Sequence, residues 1–83
     1  MKYTLKGVLT PGMFSCERVF TTYDVDGQRC QFWIQEHFLA DEGIFVTPLE
    51  REGDRCLVRF CTSCGIENLV VPVSALSVVD ETA

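Results

Sequence analysis

Hydrophobic and polar residues alternate with a period of two along most of this chain, which is the pattern of β-strands with one buried face. Over residues 2–10, Tyr3, Leu5 and Leu9 share one face, while lysines and threonines share the other. Pro11 and Gly12 end this first strand, because proline presets a turn dihedral and glycine tolerates a positive φ. The pattern therefore predicts an all-β chain that begins with a half-buried strand.

The Asp26-Gly27 pair predicts the first hairpin, since these residue types accept the positive φ values of a type I′ turn. Because successive side chains point to opposite faces, a two-residue turn also determines which residues face the core. Counting outward from this turn assigns six residues to the core side: Val19, Thr21, Tyr23, Cys30, Phe32 and Ile34.

The opposite side of this predicted ribbon carries two large aromatic side chains, with Phe20 facing Trp33 and with Arg18 and Gln35 beside them. Aromatic residues on the outside of a small domain need a cover. A protein partner or a second copy of the chain would cover them. Alternatively, the connection at residues 38–43 would cover them and form a second small core. A platform for single-stranded nucleic acid is disfavoured by the acidic charge described below. We therefore predict a contact patch of Phe20, Trp33, Arg18 and Gln35.

A second hairpin is predicted at residues 52–55, Glu-Gly-Asp-Arg, and it places Arg51 opposite Cys56. The same register places Leu49 opposite Val58. Pro48 cannot donate a ladder hydrogen bond, which favours an edge or bulged position.

The last third of the chain predicts a turn at residues 63–66 that sets Phe60 opposite Leu69 and Val58 opposite Val71. One short helical turn near residues 74–76 and a final short strand follow, and residues 80–83 are expected to fray.

Five or six short strands at regular spacing predict a small antiparallel barrel, because closure removes exposed strand edges. The final strand, preceded by a single helical turn and returning to the first strand, resembles the end of an SH3-like barrel. This superfold carries no particular function. We expect one domain over residues 1–79.

Composition limits the functional classes. The chain has 83 residues, enough for one domain, and 47% of them are hydrophobic, which excludes a disordered tail. Its formal net charge of −5 works against duplex DNA and anionic membranes, since both attract cations. No apolar run has the length of a membrane span and the first residues lack a secretory signal, so we expect a cytoplasmic protein that binds no membrane.

Five cysteines leave at least one thiol unpaired, which suits a reducing compartment. Cys30 and Cys56 fall on the core sides of their predicted hairpins, where a free cysteine acts as a small hydrophobic residue.

The Cys61-x-x-Cys64 motif is the only recognisable metal or redox motif. Two thiolates at a turn bind zinc when two further ligands join them. Cys16 and His37 face each other on the outer side of the first hairpin, so Cys16, His37, Cys61 and Cys64 form the candidate metal site. The same motif would serve a thiol redox protein, although a β-turn supplies no helix N-terminus to stabilise a thiolate.

No nucleophile lies in a recognisable catalytic setting, and we expect a protein that is not an enzyme. The leading hypothesis is a non-catalytic interaction or assembly module without a cofactor. It would bind a protein partner or self-associate through the aromatic patch. The alternatives are a small zinc-binding domain and a thiol redox protein.

Overall fold

A computed structural model describes residues 2–79 of the chain. The predicted fraying of residues 80–83 lies outside this range. The described residues form nine β-strands and two short 3₁₀ turns. The strands are β1 Lys2–Lys6, β2 Val8–Pro11, β3 Glu17–Tyr23, β4 Arg29–Gln35, β5 Leu39–Ala40, β6 Gly43–Glu52, β7 Arg55–Thr62, β8 Gly65–Pro72 and β9 Leu76–Val79.

The larger sheet has the strand order β8-β7-β6-β1-β9. The short strand β5 also pairs with β6 but lies off this path. Strand β6 is shared, since its residues 43–46 pair with β1 and its later residues pair with β7. The register shifts between Pro48 and Glu50, which confirms the expected irregularity at Pro48. Leu49 is the extra residue at this shift and has no partner in the β6–β7 ladder. Val58 faces Pro48 instead, so the predicted pairing of Leu49 with Val58 is wrong.

The smaller sheet has three strands in the order β2-β3-β4, and every pairing in both sheets is antiparallel. The all-β prediction is therefore confirmed. Over residues 2–79 the strands pair as two sheets and not as one closed barrel.

The core lies between the two sheets, and both contribute to it. Phe20 and Ile34 from the smaller sheet are completely buried, as are Leu5, Ile44 and Val58 from the larger sheet. The Phe32 ring meets the Phe60 ring edge-on, with 5.0 Å between the centroids. The packing therefore joins the sheets through aliphatic and aromatic side chains.

The chain passes from one sheet to the other at Gly7, between β1 and β2. A Cβ atom there would collide with the Phe20 ring and the Thr21 carbonyl oxygen, so only glycine allows this close passage. The buried Thr22 hydroxyl donates to the Lys6 carbonyl oxygen at 3.0 Å, and this bond satisfies a polar group beside the crossing.

The last residues that the structure describes follow the predicted pattern. A 3₁₀ turn covers Val73–Ala75, one residue before the expected position, and β9 then pairs antiparallel with β1. Tyr3 faces Val78 in this ladder.

The β3–β4 hairpin has a different register from the predicted one. The Asp24 carboxylate accepts the backbone N–H groups of Asp26 and Gln28, each at 2.9 Å, and Gly27 has φ 80°. This Asx-type arrangement extends the loop and pairs Tyr23 with Arg29. The predicted two-residue turn is therefore wrong, and the pairing moves by one residue.

The β7–β8 hairpin also differs from the prediction. The Thr62 hydroxyl accepts the N–H of Cys64 at 3.1 Å, and the closing pair of the turn is Thr62 with Gly65. Val58 consequently faces Leu69, two residues away from the predicted partner. A shift of two leaves each side chain on its predicted face.

Candidate functional site

The one-residue shift in the β3–β4 hairpin separates the two aromatic residues that the sequence predicts as a pair. Phe20 lies opposite Phe32 and is 0% exposed, whereas Trp33 lies opposite Val19 and is 46% exposed. The predicted outward position of Phe20 is therefore wrong, because Phe20 belongs to the main core. Trp33 remains on the outside, and an exposure of nearly half excludes a covered second core around it.

Trp33 lies on the outer face of the smaller sheet. Two rows cross its three strands: Thr10, Val19 and Trp33 form one, and Val8, Thr21 and Gln31 form the next. We call these six residues the Trp33 face. Val8 is 62% exposed, so the row next to the tryptophan row also carries aliphatic surface.

The six residues of the Trp33 face carry no formal charge, although 23% of the chain is charged. Charged residues appear only at the next positions, where Arg29 pairs with Tyr23 at one end and Glu17 pairs with Gln35 at the other. Glu17 is 9% exposed and accepts the Ser63 hydroxyl at 2.7 Å, so it adds little charge to the surface. A surface depleted of charge is typical of the centre of a protein interface.

The threonine and glutamine side chains on the Trp33 face are hydrogen-bonded to groups of the same face. The Gln31 amide donates to the Thr21 hydroxyl at 3.2 Å, and the Thr10 hydroxyl donates to the Val19 carbonyl oxygen at 3.5 Å. A partner covering these groups would meet donors and acceptors that already have protein partners, which reduces the desolvation cost.

The backbone at Trp33 is held on both sides. Strand β3 pairs with it along one edge, and on the other edge the Trp33 carbonyl oxygen accepts the Ser63 N–H at 2.7 Å. Its chain neighbours Phe32 and Ile34 point into the core. Trp33 is thus presented on a rigid support, which lowers the entropic cost of contact.

The two polar members of the predicted contact patch differ in position. Gln35 is exposed on the outer side of β4, two residues from Trp33. Arg18 pairs with the buried Ile34, and its guanidinium donates to the carbonyl oxygens of Ser15 and Glu17 at 3.1 and 3.0 Å. Arg18 therefore stabilises the loop that leads into β3, and it lies on the opposite side of the β3–β4 hairpin from Trp33.

Further apolar surface lies in the loop between β2 and β3, at the end of the smaller sheet. Met13 is 83% exposed and Phe14 is 64% exposed in this loop. The Glu17 N–H donates to the Phe14 carbonyl oxygen at 3.1 Å, which closes the loop into a tight turn.

The four candidate zinc ligands lie on separate elements. Cys16 is exposed in the loop before β3, His37 lies in the 3₁₀ turn Glu36–Phe38, and Cys61 is half-buried on β7. Cys64 is exposed in the turn after β7. Within residues 2–79, no group of three or more His, Cys, Asp or Glu side chains is placed to hold a metal ion.

The two predicted core thiols differ in burial. Cys56 is 3% exposed, as expected, but Cys30 is only partly buried, with its thiol 3.5 Å from the Gln28 carbonyl oxygen. Burial raises the pKa of the Cys30 thiol above its ordinary value, and the nearby Asp24 carboxylate raises it further.

We expect native-state alkylation to follow this order, with Cys16 and Cys64 fastest, Cys30 slower and Cys56 slowest, because the thiolate is the reactive form. A labelling time course read by mass spectrometry at mildly alkaline pH measures the order. Asp24→Asn keeps the shape of the side chain, removes its charge and should accelerate labelling of Cys30. Equal rates for Cys30 and Cys64 in the native chain would contradict the expectation.

Sequence reasoning missed Val19 as a member of the outer face. The signal was present, since Asp24 precedes the Asp-Gly pair by two residues and its carboxylate is well placed to capture loop N–H groups. An Asp at that position indicates a loop longer than two residues, and the longer loop exchanges the two faces of the ribbon.

Comparison of the chain with protein-family models, with curated proteins and with solved structures found no match. Among residues 2–79 there is no helix with the length and apolar character needed to cross a membrane.

Proposed function

We propose that this chain is a non-catalytic interaction module and that the Trp33 face is its contact surface. The observation that carries the proposal is a half-exposed tryptophan on an uncharged sheet face whose threonine and glutamine side chains are already hydrogen-bonded. Tryptophan is enriched among the residues that dominate binding energy, and these residues cluster where water is excluded.

The chemistry of the Trp33 face supports binding without catalysis. Its side chains are apolar or neutral and polar, so that they offer contact area and hydrogen bonds but no acid or base. The occupant we propose is a protein, either a partner or a second copy of the chain, because both present a broad surface of similar character. Five free cysteines match the reducing cytoplasm that we propose as the compartment.

We also propose that the two sheets are the halves of an SH3-like barrel. Strand β6 changes partner from β1 to β7 at its bulge, and a single 3₁₀ turn leads into β9, which returns to β1. Two backbone hydrogen bonds link the hairpins of the sheets, from Val25 N–H to Val70 at 2.9 Å and from Ser63 N–H to Trp33 at 2.7 Å. These features support the arrangement, which sets the Trp33 face on the outside of the barrel wall.

Trp33→Ala should weaken association by about 30-fold or more, the value for an interface residue worth roughly 2 kcal/mol. The free energy of unfolding should change by less than about 1.5 kcal/mol, because a half-exposed side chain leaves no large cavity. Sedimentation over a concentration range measures self-association, affinity capture followed by direct titration measures a protein partner, and denaturant melting measures stability.

Leu49→Ala is the matched control, since Leu49 is 43% exposed on β6 and lies outside the Trp33 face. It should leave association unchanged. A loss of about 3 kcal/mol or more in the stability of Trp33→Ala with unaltered association would overturn the proposal.

The zinc and redox hypotheses for Cys61 and Cys64 stay predictions. Elemental analysis of the purified native protein separates zinc from the other functions, since a bound metal would appear in stoichiometric amount.

A further inference from the structure

A second concave surface lies on the larger sheet, apart from the Trp33 face. It is a groove of about 720 Å³ bordered by the start of β1, the middle of β6, the ends of β7 and β8 that meet at their turn, and the 3₁₀ turn Glu36–Phe38. Cavities that hold small organic ligands fall in the same range of volume, roughly 300–1,000 Å³. None of the six residues of the Trp33 face lines the groove.

The walls of the groove are rich in aromatic side chains. It is lined by Tyr3, Phe38, Phe45 and Phe60, which are four of the nine Phe, Tyr and Trp residues in the chain. Phe60 is buried and fixed by its edge-on contact with Phe32, which makes that part of the wall rigid. Rings of this kind favour a ligand with a planar apolar body.

Three basic side chains line the groove. They belong to Lys2, Arg59 and His37, and among residues 2–79 no Asp or Glu lines the groove, although the chain has 12 acidic residues and only 7 Lys and Arg. The groove therefore concentrates positive charge on an otherwise acidic protein. Cations gathered in a recess with apolar walls attract anions more strongly than the same charges on an open surface.

Two contacts hold the cations at the groove. The Lys2 ammonium lies 5.1 Å from the centroid of the Phe45 ring, which is a cation–π distance. The Arg59 Nε donates to the Asn68 amide oxygen at 3.3 Å across the β7–β8 ladder. That bond uses one N–H of the guanidinium, whose fork of donors matches a carboxylate.

We propose that this groove binds a small aromatic carboxylate. Arg59 and Lys2 would hold the carboxylate, and the ring of the ligand would lie against Phe38 and Phe45. The proposal is independent of a protein partner on the Trp33 face, since the two surfaces share no residue.

Titration with 2-naphthoate, followed by the amide resonances of β1, β6 and β7, tests the proposal. We expect saturable shifts confined to the groove, and at least about tenfold weaker binding of the neutral analogue 2-naphthamide, because it lacks the charge that Arg59 and Lys2 recognise. Naphthyl phosphate, run in parallel, distinguishes a carboxylate site from a phosphate site. Tighter binding of the phosphate would overturn the carboxylate assignment.

Arg59→Gln should weaken 2-naphthoate binding by about tenfold or more, the effect of losing a charge-assisted hydrogen bond. Arg55→Gln is the matched control: Arg55 is exposed on the same strand, lies outside the groove and gives the same change in net charge. Equal affinity for 2-naphthoate and 2-naphthamide would show that the groove does not recognise the anion. Equal losses of 2-naphthoate affinity in Arg59→Gln and Arg55→Gln would show the same.

Discussion

Phe20→Ala should destabilise the fold by about 3–5 kcal/mol, the range for removing a fully buried aromatic side chain. Phe20 is 0% exposed and lies over the crossing at Gly7, where both sheets meet. Small domains have roughly 5–15 kcal/mol of total stability, so that this variant approaches unfolding. Denaturant melting measures the change.

Phe14→Ala is the matched control, since it removes the same side chain from a position that is 64% exposed. It should change the free energy of unfolding by less than about 0.5 kcal/mol, as surface substitutions generally do. Similar effects of the two variants would mean that Phe20 faces outward, as the two-residue turn at Asp26-Gly27 predicts.

Gly43→Ala should destabilise the chain by about 3 kcal/mol or more, at or above the upper end of the range for overpacking. Gly43 begins β6 opposite Lys6, and a Cβ atom there would collide with the Leu5 carbonyl oxygen. Backbone cannot move aside as a flexible side chain can, so the β1–β6 ladder must shift. The midpoint of thermal unfolding should fall by about 12–24 °C, which calorimetry measures.

Gly53→Ala separates this collision from the general effect of replacing a glycine. Gly53 has φ 61° with open space around its Cβ position, and an alanine in that conformation costs about 1–2 kcal/mol. If Gly43→Ala were no worse than Gly53→Ala, close backbone contact would not be the constraint at β6.

The three hairpins show why sequence alone predicted some registers and not others. At residues 52–55 the turn residues determine the pairing, and Arg51 faces Cys56 as predicted. At the other two hairpins the residue before the turn, Asp24 or Thr62, accepts backbone N–H groups and changes the loop length. Turn chemistry read from the glycine alone therefore misses a competing side chain.

The consequences of the two errors differ because side chains in a strand alternate with a period of two. The shift of two residues after Thr62 kept Val58 and Phe60 in the core. The shift of one residue after Asp24 moved Phe20 inward and left Trp33 outside, so the predicted aromatic pair does not form. The proposed contact surface keeps Trp33 but has neighbours other than the predicted ones.

Sequence by itself determined the β-rich character of this protein, the bulge near Pro48 and the final strand that returns to the first. Each of these follows from local chemistry: alternation of side chains, a missing N–H group, and a short turn between two apolar segments. Tertiary structure decided how the two sheets pack against each other and which residues line the groove. Both depend on contacts between residues far apart in the chain, such as Ser63 with Trp33 and Lys2 with Phe45, and no local pattern encodes them.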